Sequence, residues 1–201
     1  MSIYKSILTV FILLLKVTIY SQATVSISGT IGLSSFPAGY VPKNFIIRCT
    51  DLTTGEARSQ ELMENSYKFE DLPAGHDYKI MLFRMPEDDY LNGVSTLDLV
   101  LISRHILGIA KFTNKYYNIA ADVNDDRRVT VADMVELKKL ILGITLNLPI
   151  SWRVFTEEAF SQFPTYLGNN EKDYTFTGVN SDIDFAHFIL VKMGDINGSA
   201  Q

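Results

Sequence analysis

The chain has 201 residues, 47% of them hydrophobic and 20% charged, with a formal net charge of −5. That composition supports one or two packed cores and excludes an intrinsically disordered chain. The acidic surplus excludes the basic face that nucleic-acid binding requires.

The first residues, Met1 to Ala23, carry Lys5, the apolar run Ser6 to Leu15 and then Ser21, Gln22 and Ala23, a small-x-small pattern. This reads as a secretory signal peptide, because the apolar stretch falls short of the roughly 20 residues of a spanning helix. Cleavage after Ala23 leaves 16 basic and 23 acidic groups, net −7, and predicts a secreted or cell-surface protein with no transmembrane segment. The single cysteine, Cys49, allows no intrachain disulfide, so an exported chain must draw stability from elsewhere, and bound metal is one route.

From 24 to 85 the sequence reads as short strands. Val25, Ile27 and Ile31, then Phe45 to Ile47, then Tyr67, Phe69 and Leu72, and finally Tyr78, Ile80 and Leu82 are separated by turn residues such as Pro73, Ala74 and Gly75. This spacing predicts a small antiparallel β-sandwich. The segment "YKFEDLPAGHDYKIML" resembles the closing hairpin of prealbumin-like sandwiches of the carboxypeptidase regulatory and Cna-B kinds, which implies a spacer or adhesive scaffold and no chemistry.

Residues 94–109 and 129–144 repeat one another at an offset of 35, with identity at 7 of 16 positions, including Val94/Val129, Asp98/Asp133, Val100/Val135 and the closing "ILGI". Each copy has apolar residues at helical spacing (Leu99, Ile102, Ile106; Met134, Leu137, Ile141) and ends in Gly108 or Gly143. A duplicated loop–helix unit predicts that the two helices pack as an antiparallel pair, since neither buries its apolar face alone.

Before the second helix stands "DVNDDRRVTVAD", with oxygen-bearing groups at alternating places of a twelve-residue loop. Asp122, Asn124 and Asp126 take the first, third and fifth places, the Arg128 carbonyl the seventh, Thr130 the ninth and Asp133 the twelfth. Calcium takes six to eight hard oxygen ligands, and this spacing wraps one ion. Residues 86–146 therefore resemble a type I dockerin, whose two calcium loops each precede a helix ending in Leu-Gly. The chain as a whole resembles exported Bacteroidetes proteins that carry such a module. The resemblance implies Ca2+ as cofactor and a cohesin-like protein as partner, in a polysaccharide-degrading or surface assembly. It places partner contacts at Thr96, Leu97, Ser103, Arg104 and His105 in one copy and at Val131, Ala132, Lys138 and Lys139 in the other. Docking of the module on the sandwich of its own chain is the alternative.

Two departures stand out. Arg127 occupies the sixth place, where a sharp turn favours Gly. The first loop offers Glu87, Asp89, the Gly93 carbonyl, Ser95 and Asp98 but has Leu91 at its fifth place, so a ligand is missing. The terminal "GDINGSA" places Asp195, Asn197 and Ser199 at the spacing of a first half-loop. One reading is a split site in which these three join Gly93, Ser95 and Asp98; the other is that the first loop acts alone and the tail is merely polar.

Residues 147–201 hold the aromatics Trp152, Phe155, Phe160, Phe163, Tyr166, Tyr174 and Phe176, expected as core that packs back on the rest; a carbohydrate-binding face is the alternative. His76, His105 and His187 form no metal-ligand spacing, and neither a nucleophile elbow nor a phosphate loop occurs, so no enzyme is expected. The predicted class is α+β: an N-terminal antiparallel sandwich, a pair of calcium loop–helix units and a β-containing C-terminal segment.

Overall fold

The computed structural model describes residues 22–33, 43–85, 90–162 and 172–200. The expected leader up to Ser21, and Glu87, Asp89, Phe163 and Tyr166, lie outside the described residues.

Five strands come first: β1 (Thr24–Leu33), β2 (Phe45–Asp51), β3 (Ala57–Glu61), β4 (Ser66–Pro73) and β5 (His76–Arg84). Three helices follow, α1 (Thr96–Ile106), α2 (Lys115–Ala121) and α3 (Val131–Ile141), then β6 (Trp152–Thr156), α4 (Glu157–Gln162), β7 (Asp173–Val179) and β8 (Phe188–Lys192). The strands form two sheets, ordered β4-β1-β8-β6 and β3-β2-β5-β7. Alternate residues of β2 (Phe45, Ile47, Cys49) and β5 (Tyr78, Ile80, Leu82) point into one core with Ile27, Phe69, Val154, Phe188 and Leu190. Each such side chain contributes roughly 1.5–3 kcal/mol when fully buried. Cys49 belongs to this core, where burial pushes its thiol up to about 11 and makes it a poor nucleophile.

The sandwich expected within 24–85 is thus completed from beyond residue 150. β8 pairs in parallel with β1 (Ile31 with Phe188, Leu33 with Leu190), while β7 pairs antiparallel with β5. A parallel pair needs a long crossover. Here that crossover contains the duplicated helices.

A second core lies on the other side of β6 and β8. Phe155 and Val191 face away from the sandwich and meet Ile102 of α1, Tyr116 and Ile119 of α2, Leu137 and Leu140 of α3, and Met193 and Ile196 beyond β8. β8 is accordingly buried on both faces, down to Lys192, whose Nζ donates to the Tyr90 carbonyl at 3.0 Å. Trp152 and Phe155 are buried, and Tyr174 and Phe176 pack partly buried against the sandwich core. These aromatics stabilise cores and leave no ring face of Trp152 or Phe155 for a sugar. No helix among the described residues is long and apolar enough to cross a membrane.

Gly29 in β1 sits where the chain before β8 passes. A Cβ there would stand 2.1 Å from the Ala186 carbonyl oxygen, which also accepts from the Tyr67 hydroxyl. Gly29→Ala is expected to destabilise the fold by about 1–3 kcal/mol through overpacking, read as a lower midpoint in urea with an unchanged m-value.

Candidate metal centre

Both helices of the repeat start in the same way. Ser95 caps α1 and Thr130 caps α3, and Asp98 and Asp133 close a capping box back onto them. Such a cap contributes about 1 kcal/mol. Ile102 and Leu137 at the equivalent position turn into the shared core. Just past the two helix ends stand Gly108 and Gly143, with φ of +71° and +66°.

The loop before α3 begins at the C-cap of α2, a short helix that the sequence reading left unassigned. Asp122 is almost fully buried, and its two carboxylate oxygens accept from the backbone N–H of Asp126 (3.0 Å) and Arg127 (2.9 Å), the residues four and five further on. At the other end, Asp133 Oδ1 accepts from Asn124 N–H (3.3 Å) and Oδ2 from Thr130 N–H (2.7 Å). Asn124 Oδ1 and Asp126 Oδ1 accept from the N–H two residues on. Asp125 and Arg127 hold φ of +59° and +71°, a conformation that costs a non-glycine residue roughly 1–2 kcal/mol. Asp125 is held from outside by Arg153 of β6 at 3.2 Å.

The first loop is built from two separate segments. Asp98 is fully buried, and its Oδ2 accepts from Ser95 N–H (2.8 Å) while Oδ1 accepts from Ile196 N–H (2.8 Å) and Asn197 N–H (3.2 Å). Asp195, also fully buried, accepts from Ser199 N–H (3.0 Å) and Ala200 N–H (2.9 Å). Ser199 Oγ donates to the Gly93 carbonyl at 3.1 Å.

The wiring matches that of the contiguous loop place by place. Asp195, like Asp122, accepts from residues four and five along; Asp98, like Asp133, accepts from the third residue of the loop. Ile196 and Val123 at the second place are both buried in the helical core, and Gly198, like Asp125 at the fourth, has positive φ (+69°). Residues 195–200 and 93–98 therefore reproduce one twelve-residue loop cut between its sixth and seventh places.

The donor set of the contiguous loop (Asp122, Asn124, Asp126, the Arg128 carbonyl, Thr130, Asp133) is all oxygen, which suits a hard cation. Burial pushes the Asp122 carboxyl up to about 6 against the pull of the Arg127 N–H, and burial also raises that of Asp195. Both are desolvated carboxyls, for which a bound cation supplies the missing counter-charge. Among the described residues no three acidic, His or Cys side chains converge as a cluster, and the carboxylates are turned toward backbone N–H groups. The residues fit a calcium loop that closes around its ion, with the non-acidic oxygens completing the set.

The expected partner residues separate into two groups. Thr96, Leu97, Arg104, Val131, Ala132 and Lys138 are exposed, whereas Ser103 and Lys139 are half-buried and Lys139 pairs with Glu136 at 2.8 Å. His105 turns inward: its ring stacks on Phe112 at 4.2 Å and Nδ1 accepts from the Phe112 N–H at 2.9 Å. Burial and Lys111 hold its pKa below the usual range. Its ring is half-buried and held by this packing. The sequence reading passed over a set of exposed apolar residues at equivalent positions: Val100/Val135, Leu107/Leu142 and Ile109/Ile144, each between 46% and 69% exposed. Their identity between the two copies was the available signal.

No curated protein matches the chain. Among solved structures it is similar to the pilus-presented adhesin Cpa, at 10% identity and a TM-score of 0.35 over 87% of this chain, and to a Mobiluncus mulieris adhesin with intramolecular disulfide, isopeptide and ester cross-links, at 8% identity and 0.32 over 84%. The chain spans 28% and 40% of those adhesins. Residues 92–142, from the sixth place of the first loop to the end of the second helix, match the family described as the dockerin type I domain.

Proposed function

We propose that this is a non-catalytic, exported calcium-binding protein whose duplicated helices dock onto a cohesin-like partner. The observation that carries this reading is the contiguous loop at 122–133, wired for a hard cation directly ahead of a helix with an exposed apolar stripe, within a segment that matches the dockerin type I domain. In it, Asp122, Asn124, Asp126, the Arg128 carbonyl, Thr130 and Asp133 hold one calcium ion. A second ion sits in the split loop, on Asp195, Asn197, Ser199, the Gly93 carbonyl, Ser95 and Asp98. Calcium draws in the side chains that now cap backbone N–H groups and fixes both helix starts.

The stripes Thr96, Leu97, Val100, Arg104, Leu107 and Val131, Val135, Lys138, Leu142 then form the contact face. Large exposed aliphatics interleaved with cations suit a partner surface that is apolar with an acidic rim. Attachment of this protein to a surface or polysaccharide-degrading assembly follows from such a partner.

The test is capture of a cohesin-like protein from native extract by immobilised protein, with calcium and with chelator. Wild type is expected to retain it only with calcium, and Val100→Asp/Val135→Asp to lose at least 100-fold in affinity while keeping its calcium sites, because two charges are forced into the apolar contact. Equal capture by the variant, or capture independent of calcium, removes the docking reading.

A further inference from the structure

The chain contains two Asn-Gly pairs, Asn92-Gly93 and Asn197-Gly198, and the fold brings both to the split loop. Asn-Gly is the pair at which asparagine loses its side-chain amide most readily. The glycine has no Cβ to keep its backbone nitrogen from the amide carbon of the residue before it.

The contiguous loop has asparagine at the same third place without that weakness. Asn124 is followed by Asp125, and its amide is held at both ends: Oδ1 accepts from the Asp126 N–H at 3.0 Å and Nδ2 donates to Asp126 Oδ2 at 3.0 Å. Asn197 is exposed; its backbone N–H donates to Asp98 Oδ1 at 3.2 Å, but its side-chain amide is hydrogen-bonded to no described residue. Asn92 is half-buried and its glycine is enclosed, with atoms of Asp195 and Ala200 standing 2.5 and 2.6 Å from where a Gly93 Cβ would be. Ring closure turns the glycine peptide plane, and there is no room for that at Gly93.

A base is also in place at Asn197. The fully buried Asp195 carboxylate accepts from the Ser199 and Ala200 N–H groups and, as a weaker third donor, from the Gly198 N–H. That third proton is the one the reaction must remove.

We propose that Asn197 is a self-modification site that bound calcium holds closed, so that the split loop ages when it lacks its ion. The Gly198 nitrogen gives its proton to the Asp195 carboxylate and bonds to Asn197 Cγ. The Cγ–Nδ2 bond breaks, Nδ2 takes that proton and leaves as ammonia, and a five-membered imide remains. Water then opens the imide at Cγ to give an aspartyl residue, or at the main-chain carbonyl to give an isoaspartyl one; nothing is oxidised or reduced. The two products act in opposite directions. Aspartyl keeps the spacing and adds a third carboxylate to Asp98 and Asp195, as in the loop of Asp122, Asp126 and Asp133. Isoaspartyl routes the main chain through Cγ, adding a backbone atom between the third and fourth places, so the N–H groups of Ser199 and Ala200 lose register with Asp195. The part played by calcium rests on the reading of the split loop as a metal site: an ion there holds Asn197 Oδ1 and takes the Asp195 carboxylate that would otherwise act as base.

The test is incubation of the full chain, with calcium and with chelator, followed by peptide mapping by mass spectrometry with isoaspartate detection. Without calcium, Asn197 is expected to show the mass gain of amide-to-acid exchange at least tenfold faster than Asn92 or Asn124, whereas in urea Asn92 and Asn197 react alike. Calcium is expected to slow Asn197 at least tenfold. Titration of the aged isoaspartyl form reads one ion, and the Asn197→Asp variant, made directly, still reads two. No gain at Asn197 in the folded metal-free protein, or gain at Asn92 just as fast, overturns the site. Gain that calcium does not slow, in protein that titrates with two ions, overturns the calcium control. If fresh protein titrates with fewer than two ions, the metal reading of the split loop fails, and the metal-free mass gain still decides the modification site.

Discussion

Replacing Asp195 and Asn197 together by alanine is expected to lower the number of bound calcium ions from two to one and to destabilise the metal-free protein as well. The two effects have different origins. In the metal-free protein the Asp195 carboxylate caps the N–H groups of Ser199 and Ala200, the second of them buried. Leaving buried donors unmet costs about 1–3 kcal/mol each, partly offset by release of a desolvated carboxyl. A net loss of about 2–4 kcal/mol is expected, at roughly 2–4 °C of melting temperature per kcal/mol for a chain of this size. With calcium in excess the difference widens, since each occupied site contributes about 2.7 kcal/mol at 100 times its dissociation constant. Asp195→Asn separates the origins in part, because the amide oxygen still accepts one of the two N–H groups while the charge is gone: metal-free stability falls by less than in the double variant, and one ion is lost. Asp133→Ala should remove the other ion and leave the split site filled. Calorimetric titration of chelator-treated protein with a melt of each form reads all of this. Two ions with wild-type affinities in the double variant would make the tail a clasp and nothing more.

The parts of the fold that were legible in the sequence were those set by local chemistry. Ser95 and Asp98, Thr130 and Asp133, and the glycines at 108 and 143 mark helix starts and ends through caps and positive φ, and each acts within a few residues. The alternation in β2 and β5 is local too. The sharing of strands between chain ends was not legible. The apolar run "FILVK" at 188–192 announces a strand of the β-containing C-terminal segment, but neither its burial on both faces nor its parallel pairing with β1, because parallel partners are separated by a crossover. α2 was missed for a similar reason: Lys115–Ala121 has only seven residues and no repeat partner, and its buried face of Tyr116, Ile119 and Ala120 is defined by β8 and the tail rather than by its own period. The stacking of His105 was not legible because its neighbour in space, Phe112, lies beyond the helix end, where helical periodicity says nothing.

The tail came within reach of sequence reasoning because Asp195, Asn197 and Ser199 repeat a spacing already present at Asp122, Asn124 and Asp126. Spacing could not supply the seating. That depends on β8, which delivers Asp195 three residues after Lys192, and on Ile196, which enters the helical core at the place Val123 takes in the other loop. The metal-loop half and the strand are in series. Tension on β8 and occupancy of the split loop therefore act on the same few residues, so the duplicated unit and the sandwich are expected to unfold together.

Gly93→Ala is the sharpest probe of that coupling. Gly93 has φ +75°, and a Cβ there would lie 2.5 Å from Asp195 Oδ2, 2.6 Å from Ala200 N and 2.8 Å from Ala200 Cα. Two of these are backbone atoms, so no rotamer change relieves the contact; either the tail or the start of α1 must move. Gly143 supplies the control, with φ +66° and nothing within 4 Å of its own added Cβ. Gly143→Ala carries only conformational strain, about 1–2 kcal/mol. Gly93→Ala adds overpacking and the loss of the Asp98 bonds to Ile196 and Asn197, for a total of about 3–5 kcal/mol. Hydrogen exchange reads the mechanism directly: the Ile196 and Asn197 amides are protected in wild type and in Gly143→Ala, and exchange freely in Gly93→Ala. If those amides stay protected and the two variants melt alike, residues 195–200 are not held by the Gly93 loop, and the split site goes with them.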